Sequence, residues 1–108
     1  MAANDSKGIA YHEMGHIINR TYGNNGLDIA DEAYYNINGK YLSRLELFEY
    51  LETNVSEYAV YLPNQWKDKP FKKKHYKEVT PEILSMNKAN PTAFLQEFVK
   101  LLKKRCSL

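Results

Sequence analysis

Tyr11-His12-Glu13-Met14-Gly15-His16 places two histidines four residues apart around a glutamate. On a helix that spacing sets His12 and His16 one turn apart on a single face, where both imidazoles can close on one metal ion. Glu13 then stands beside the pair, next to any water activated there. The residues around the stretch support a helix. Asn4-Asp5-Ser6 offers side-chain oxygens for an N-cap, and the helix is expected to run from about Lys7 to Tyr22. Ile9, His12, His16 and Ile17 fall near one stripe, which would turn the histidines inward, and Gly15 would leave room beside the metal. Gly23-Asn24-Asn25-Gly26 ends the helix with residues that tolerate positive φ.

Working outward, Leu27 to Tyr41 is rich in tyrosine and contains Asn38-Gly39, a turn signal. It reads as an irregular segment with a short hairpin, the one place for a small sheet. Ser43-Arg44-Leu45-Glu46 has the form of a capping box and opens a second helix. Leu45, Phe48, Leu51 and Val55 would be its buried stripe, and Glu46, Glu49 and Glu52 its wet side. It is expected to weaken at Thr53-Asn54. Ser56-Glu57-Tyr58-Ala59 comes next, and Leu62-Pro63 closes the section. From Lys67 to Lys77 the chain is lysine-rich and interrupted by Pro70, which describes a solvated loop; His75 lies in it and reads as solvent-facing.

A third helix begins within Glu78-Val79-Thr80-Pro81-Glu82, because proline is tolerated in a first helical turn. Either Thr80 caps it and Glu78 lies outside, or it starts at Glu78 and both glutamates share a face. Asn90-Pro91 signals a last helix reaching about Lys104, with Phe94, Leu95, Phe98, Leu101 and Leu102 as its core stripe. Lys103-Lys104-Arg105 suits the negative end of that helix.

Composition narrows the function classes. The 108 residues suffice for one small domain with a modest core, and are few for a complete hydrolase of this kind. A formal charge of +2 gives no case for nucleic acid, and no apolar run approaches the ~20 residues that cross a bilayer. The single cysteine, Cys106, excludes an internal disulfide framework. Nine tyrosines are many; aromatic packing in a small core is the plain account and a tyrosine-lined cleft the sharper one. Few residues precede the histidine helix, whereas a cleft of this type usually has a strand along one wall. Residues 1–108 therefore read as a single domain, a C-terminal fragment of a longer protein, or else a minimal domain open on that side.

Zinc in a hydrolytic site takes three protein ligands and keeps one position open. It activates water near neutral pH and polarises the scissile carbonyl. Glu13 would take the water's proton and return it to the leaving amine. No histidine occurs at the spacing H-E-x-x-H-x-x-G-x-x-H; Asn19 and Tyr22 stand there instead, so a glutamate is favoured as third ligand.

His12-Glu13-Met14-Gly15-His16, Ser56-Glu57-Tyr58-Ala59 and Glu78-Val79-Thr80-Pro81-Glu82 together resemble the glutamate-zincins related to the anthrax lethal factor catalytic domain. The likeness is nearest to the zincin-like domains attached to phage head-morphogenesis (MuF-type) proteins and bacterial toxins. Their pattern is H-E-x-G-H, a serine–tyrosine turn, then E-x-x-x-E on a helix. The resemblance implies Zn2+, with His12, His16 and Glu78 as ligands; after Glu78, the candidates for the third ligand are Glu82, Glu57 and Glu97, in that order. It makes Tyr58 the phenol that hydrogen-bonds the tetrahedral intermediate, and Glu82 a group orienting a ligand histidine. It departs from the family in the longer interval from Tyr58 to Glu78 and in Pro81, where a small helical residue is usual.

The function expected is that of a zinc metallopeptidase acting on a protein or peptide substrate, with no nucleic-acid or membrane partner. The upstream part of its own parent protein is a further expected partner. The resemblance places it in a prophage-encoding bacterial cytoplasm or in a secreted toxin. The other reading is a zincin-like module serving a structural or binding role in a phage head or toxin protein. The fold expected is mainly α, α+β at most: a histidine helix, a helix backing it, a glutamate helix and a C-terminal packing helix.

Overall fold

The computed structural model describes residues 6–23, 25–56, 59–60 and 77–107, and it is mainly α. Five helices occur in order: α1 (Ser6–Tyr22), α2 (Gly26–Asn38), α3 (Arg44–Asn54), α4 (Val79–Ala89) and α5 (Ala93–Cys106). No strand occurs among the described residues, so the small sheet expected between Leu27 and Tyr41 is not present. That segment is α2. Its buried side is Leu27, Ile29, Ala30 and Ala33, a narrow stripe in which two alanines take the place of larger apolar residues. Asn38-Gly39 is a chain reversal as expected, but of another kind. Gly39 caps α2 in the left-handed region at φ 75°, its N–H donating to the carbonyl of Tyr35.

α1 packs along α4 and α2 along α5, with α4 also touching α5 and α2. One continuous core runs between them, its largest wholly buried side chains being Phe48, Phe98, Ile29, Leu47 and Leu51. The α5 stripe is buried as expected at Phe94, Leu95, Phe98, Leu101 and Leu102. Thr92, rather than Asn90, caps that helix, its hydroxyl accepting from Leu95 N–H at 3.3 Å. The Ser43 capping box is present, and α3 ends at Asn54 as expected. Its inner face is rotated by a residue or so from the predicted one. Leu45 is 59% exposed and Leu47 is buried beside Phe48 and Leu51. Among the described tyrosines, Tyr50 meets Tyr34 and Phe94 edge-on at 4.9 and 5.0 Å and Tyr35 stacks on Tyr41 at 4.5 Å, while Tyr11 and Tyr22 each line a surface cavity.

In α1 the expected stripe holds at His12 and fails at Ile17, which is 53% exposed while Ile18 is buried. The side chain of Ile9, the expected cap residues Asn4-Asp5, Leu62-Pro63, His75 and most of the lysine-rich segment lie outside the described residues. No helix of the described residues is long and apolar enough to cross a membrane.

Candidate metal centre

Two glycines set α4 against its neighbours. A β-carbon at Gly15 would stand 2.7 Å from the backbone nitrogen of Pro81 and closer still to its Cα. One at Gly26 would stand 2.9 Å from Val79 Cβ and 3.0 Å from Thr80 Oγ1. The first turn of α4 is therefore wedged against α1 on one side and the start of α2 on the other. The room at Gly15, expected beside a metal, is filled by Pro81.

Glu78 caps α4, with Val79 as the first helical residue and Pro81 in the first turn. Of the two starts considered, the arrangement agrees with the one that puts Glu78 and Glu82 on a shared face. Asn19 of α1 fixes the entry, its Nδ2 donating to the carbonyl of Lys77 at 2.8 Å. At the spacing where a metzincin pattern would continue, this chain thus has an amide that ties the residue before Glu78 to the histidine helix.

His12 and His16 present their rings edge-to-face, centroids 4.9 Å apart. Glu78 Oε1 lies 3.2 Å from Nε2 of each, and one atom each from His12, His16 and Glu78 gathers within 4.8 Å. His12 is 6% exposed, Glu78 5% and Glu82 0%, while His16 is half-buried and gives the cluster its one partly open side. Glu82 Oε2 reaches His12 Nε2 at 3.0 Å. Its other oxygen, Oε1, accepts from Ser56 Oγ at 2.6 Å.

Buried carboxylates and imidazoles normally satisfy one another by hydrogen bonds, since an unpaired buried polar atom costs about 1–3 kcal/mol. Here His12 Nε2, Glu78 Oε1 and Glu82 Oε2 approach closely, yet none makes a well-directed hydrogen bond. Atoms 3.2 Å apart that aim past one another are what a shared cation requires. Two ligands of tetrahedral zinc, each about 2.0–2.1 Å from the metal, stand roughly 3.3 Å apart. The residues could therefore hold a metal ion between two imidazoles and a carboxylate.

Each expected site residue can be placed or set aside. His12, His16 and Glu78 come together. Glu82 touches His12 but falls outside that compact group. Glu13 is exposed on α1, between the two histidines in sequence. Glu97 is elsewhere, on α5, where it accepts from Asn36 Nδ2 at 2.9 Å. Tyr58 and Glu57 lie outside the described residues. Two contributors are not among the residues expected at the site, Pro81 and Ser56. The small Gly15 and the first-turn proline were the signal for the first; Ser56 was marked only as the serine of the serine–tyrosine turn, with no role attached to its hydroxyl. Comparison of the chain with protein-family models, curated proteins and solved structures finds no match.

Proposed function

We propose that this chain is a zinc-dependent peptidase core in which His12, His16 and Glu78 hold the metal and Glu13 is the general base. The observation that carries the reading is the convergence of buried, unsatisfied ligand atoms at 3.2 Å spacing, with the exposed Glu13 next to His12 on α1. Bound zinc supplies electrophilic polarisation of a carbonyl and activation of water.

The remaining work belongs to the chain. Glu13 comes one residue after His12, about 100° around the helix, so its carboxylate flanks the cradle without entering it. There it accepts the proton of the attacking water. It returns that proton to the nitrogen of the leaving amine as the C–N bond breaks, leaving a carboxylate and a free amine. Ile17, 53% exposed and one turn beyond Glu13, continues the same face as an apolar surface for a polypeptide. Tyr58, in the role the resemblance implies, would donate its phenol to the oxyanion of the tetrahedral intermediate.

A second reading, a zincin-like structural module of a phage-head or toxin protein, draws on the way the ligands join α1 to α4. A metal there would staple two helices whether or not hydrolysis takes place.

Elemental analysis of chelator-free protein, then hydrolysis of casein and of a mixed peptide library with and without Glu13→Gln, separates these. The peptidase reading expects about one zinc per chain in both proteins and hydrolysis reduced at least ~100-fold in the variant. Zinc bound without hydrolysis of any library member would favour the structural module. Absence of zinc after its return at neutral pH would remove the metal centre itself.

A further inference from the structure

The last turn of α3 and the carboxylate of Glu82 are linked by a single hydroxyl whose hydrogen bonds leave it no freedom. Ser56 N–H donates to Leu51 O at 3.1 Å, so its backbone is fastened to a wholly buried residue of α3. Ser56 Oγ accepts from Ala59 N–H at 3.2 Å. With an acceptor site so occupied, its one O–H points to Glu82 Oε1, 2.6 Å away, a distance typical of hydroxyl donation to a charged carboxylate. Glu82 Oε2 is left free and lies 3.0 Å from His12 Nε2.

We infer that Ser56 is a positioning residue for the metal centre, acting through Glu82 on His12. A glutamate has three rotatable side-chain bonds, and burial alone does not select which oxygen faces the histidine. Held at Oε1, the carboxylate turns Oε2 to His12 Nε2, the same nitrogen that faces Glu78 Oε1, and so fixes one edge of the cradle. Groups that orient a ligand in this manner cost about 10–100-fold in metal affinity when removed. The inference rests on the metal-centre reading above and concerns Ser56, which follows α3 and stands outside the group formed by His12, His16 and Glu78.

The test is zinc affinity, measured by competition with a chromophoric chelator, together with the visible absorption of the Co2+-loaded protein, which reports ligand geometry. Ser56→Ala is expected to weaken zinc about 10–100-fold and to shift the Co2+ bands, and Ser56→Thr, which keeps the hydroxyl, to restore both at least in part. Ser43→Ala is the control. It removes a hydroxyl from the other end of α3, where Ser43 Oγ accepts from Glu46 N–H at 3.2 Å, and so loosens the same helix away from the metal. Its zinc affinity and Co2+ spectrum are expected to match the unsubstituted protein.

Zinc affinity and Co2+ bands unchanged in Ser56→Ala would overturn the inference while leaving the metal centre intact. So would a loss no larger than that in Ser43→Ala, or the absence of any rescue by threonine in a protein that remains folded by circular dichroism. If the unsubstituted protein bound neither ion, the metal-centre reading and this inference would fall together.

Discussion

Gly15 and Pro81 meet backbone to backbone: a methyl group on Gly15 would stand 2.7 Å from Pro81 N and nearer still to its Cα. The two positions were separate features of the sequence, a small residue inside the histidine motif and a proline inside the glutamate motif. In the fold each accounts for the other. Proline in the first turn of α4 needs no N–H partner and presents a flat, rigid surface. Glycine in α1 lets that surface approach closely enough for Glu78 to reach both histidines at 3.2 Å.

Gly15→Ala should therefore act on stability and metal together. The new methyl meets backbone atoms that cannot swing aside, so the helices must separate, at about 2–3 kcal/mol. Urea unfolding should show the lower midpoint. Zinc competition should show weaker binding, since spreading α1 from α4 parts the ligands. A variant of unchanged zinc affinity would mean that the helices slide without disturbing the cradle.

Glu78 and Glu82 are expected to separate by the size of their effects. Glu78 Oε1 lies within reach of both histidines, so Glu78→Gln removes a ligand and should lower zinc affinity by more than the roughly 10–100-fold typical of an orienting group. Glu82 Oε2 contacts His12 alone, and Glu82→Gln should fall within that range. Equal losses in a chelator competition would make Glu82 a ligand as well.

How much of this arrangement is legible in the chain depends on how local each signal is. The helices α3 and α5 carry caps and periodic apolar residues, α1 has cap candidates in its sequence, and the existence of all three was legible within windows of a dozen residues. The spacing of His12 and His16, and of Glu78 and Glu82, is likewise a local property. α2 was misread because Ala30 and Ala33, small and buried, count weakly as apolar, while Asn38-Gly39 signals a reversal without saying whether a helix or a strand precedes it. Leu45 and Ile17 show the complementary failure. Each lies beside an apolar residue, Leu47 two positions on and Ile18 the next, and the tertiary neighbours decide which one faces the core. The bonds from Asn19 to Lys77 and from Ser56 to Glu82 join residues far apart in the sequence, and no window contains both ends.

The capping box makes a prediction with pH. Ser43 N–H donates to Glu46 Oε1 at 2.9 Å while Ser43 Oγ accepts from Glu46 N–H. The Ser43 N–H first, then the Ser43 hydroxyl acting on the same carboxyl, holds Glu46 below its ordinary value of 4.5. A carboxyl lowered in the folded state binds its proton more weakly there than in the unfolded chain. Its contribution is thus present above the unfolded value and lost as pH falls through the folded one. The stability difference between the protein and Glu46→Gln, measured by urea unfolding, should be constant near neutrality and shrink below about pH 4. A difference that grew on acidification would contradict the box.

Removing the metal should loosen the whole domain rather than one loop. The ligands belong to α1 and to the start of α4, and they stand together only when those helices are packed, so zinc has no comparable site in the unfolded chain. Free zinc at a hundred times its dissociation constant adds about 2.7 kcal/mol to stability by mass action. For a domain of this size, at about 4–8 °C per kcal/mol, the melting temperature should rise by roughly 10–20 °C. Calorimetry with zinc and then with excess chelator checks the size and reversibility of the shift. His12→Ala should abolish it, because a two-imidazole platform becomes one, whereas Glu13→Gln should retain it in full. A shift that survived in His12→Ala would place the stabilising ion elsewhere on the chain.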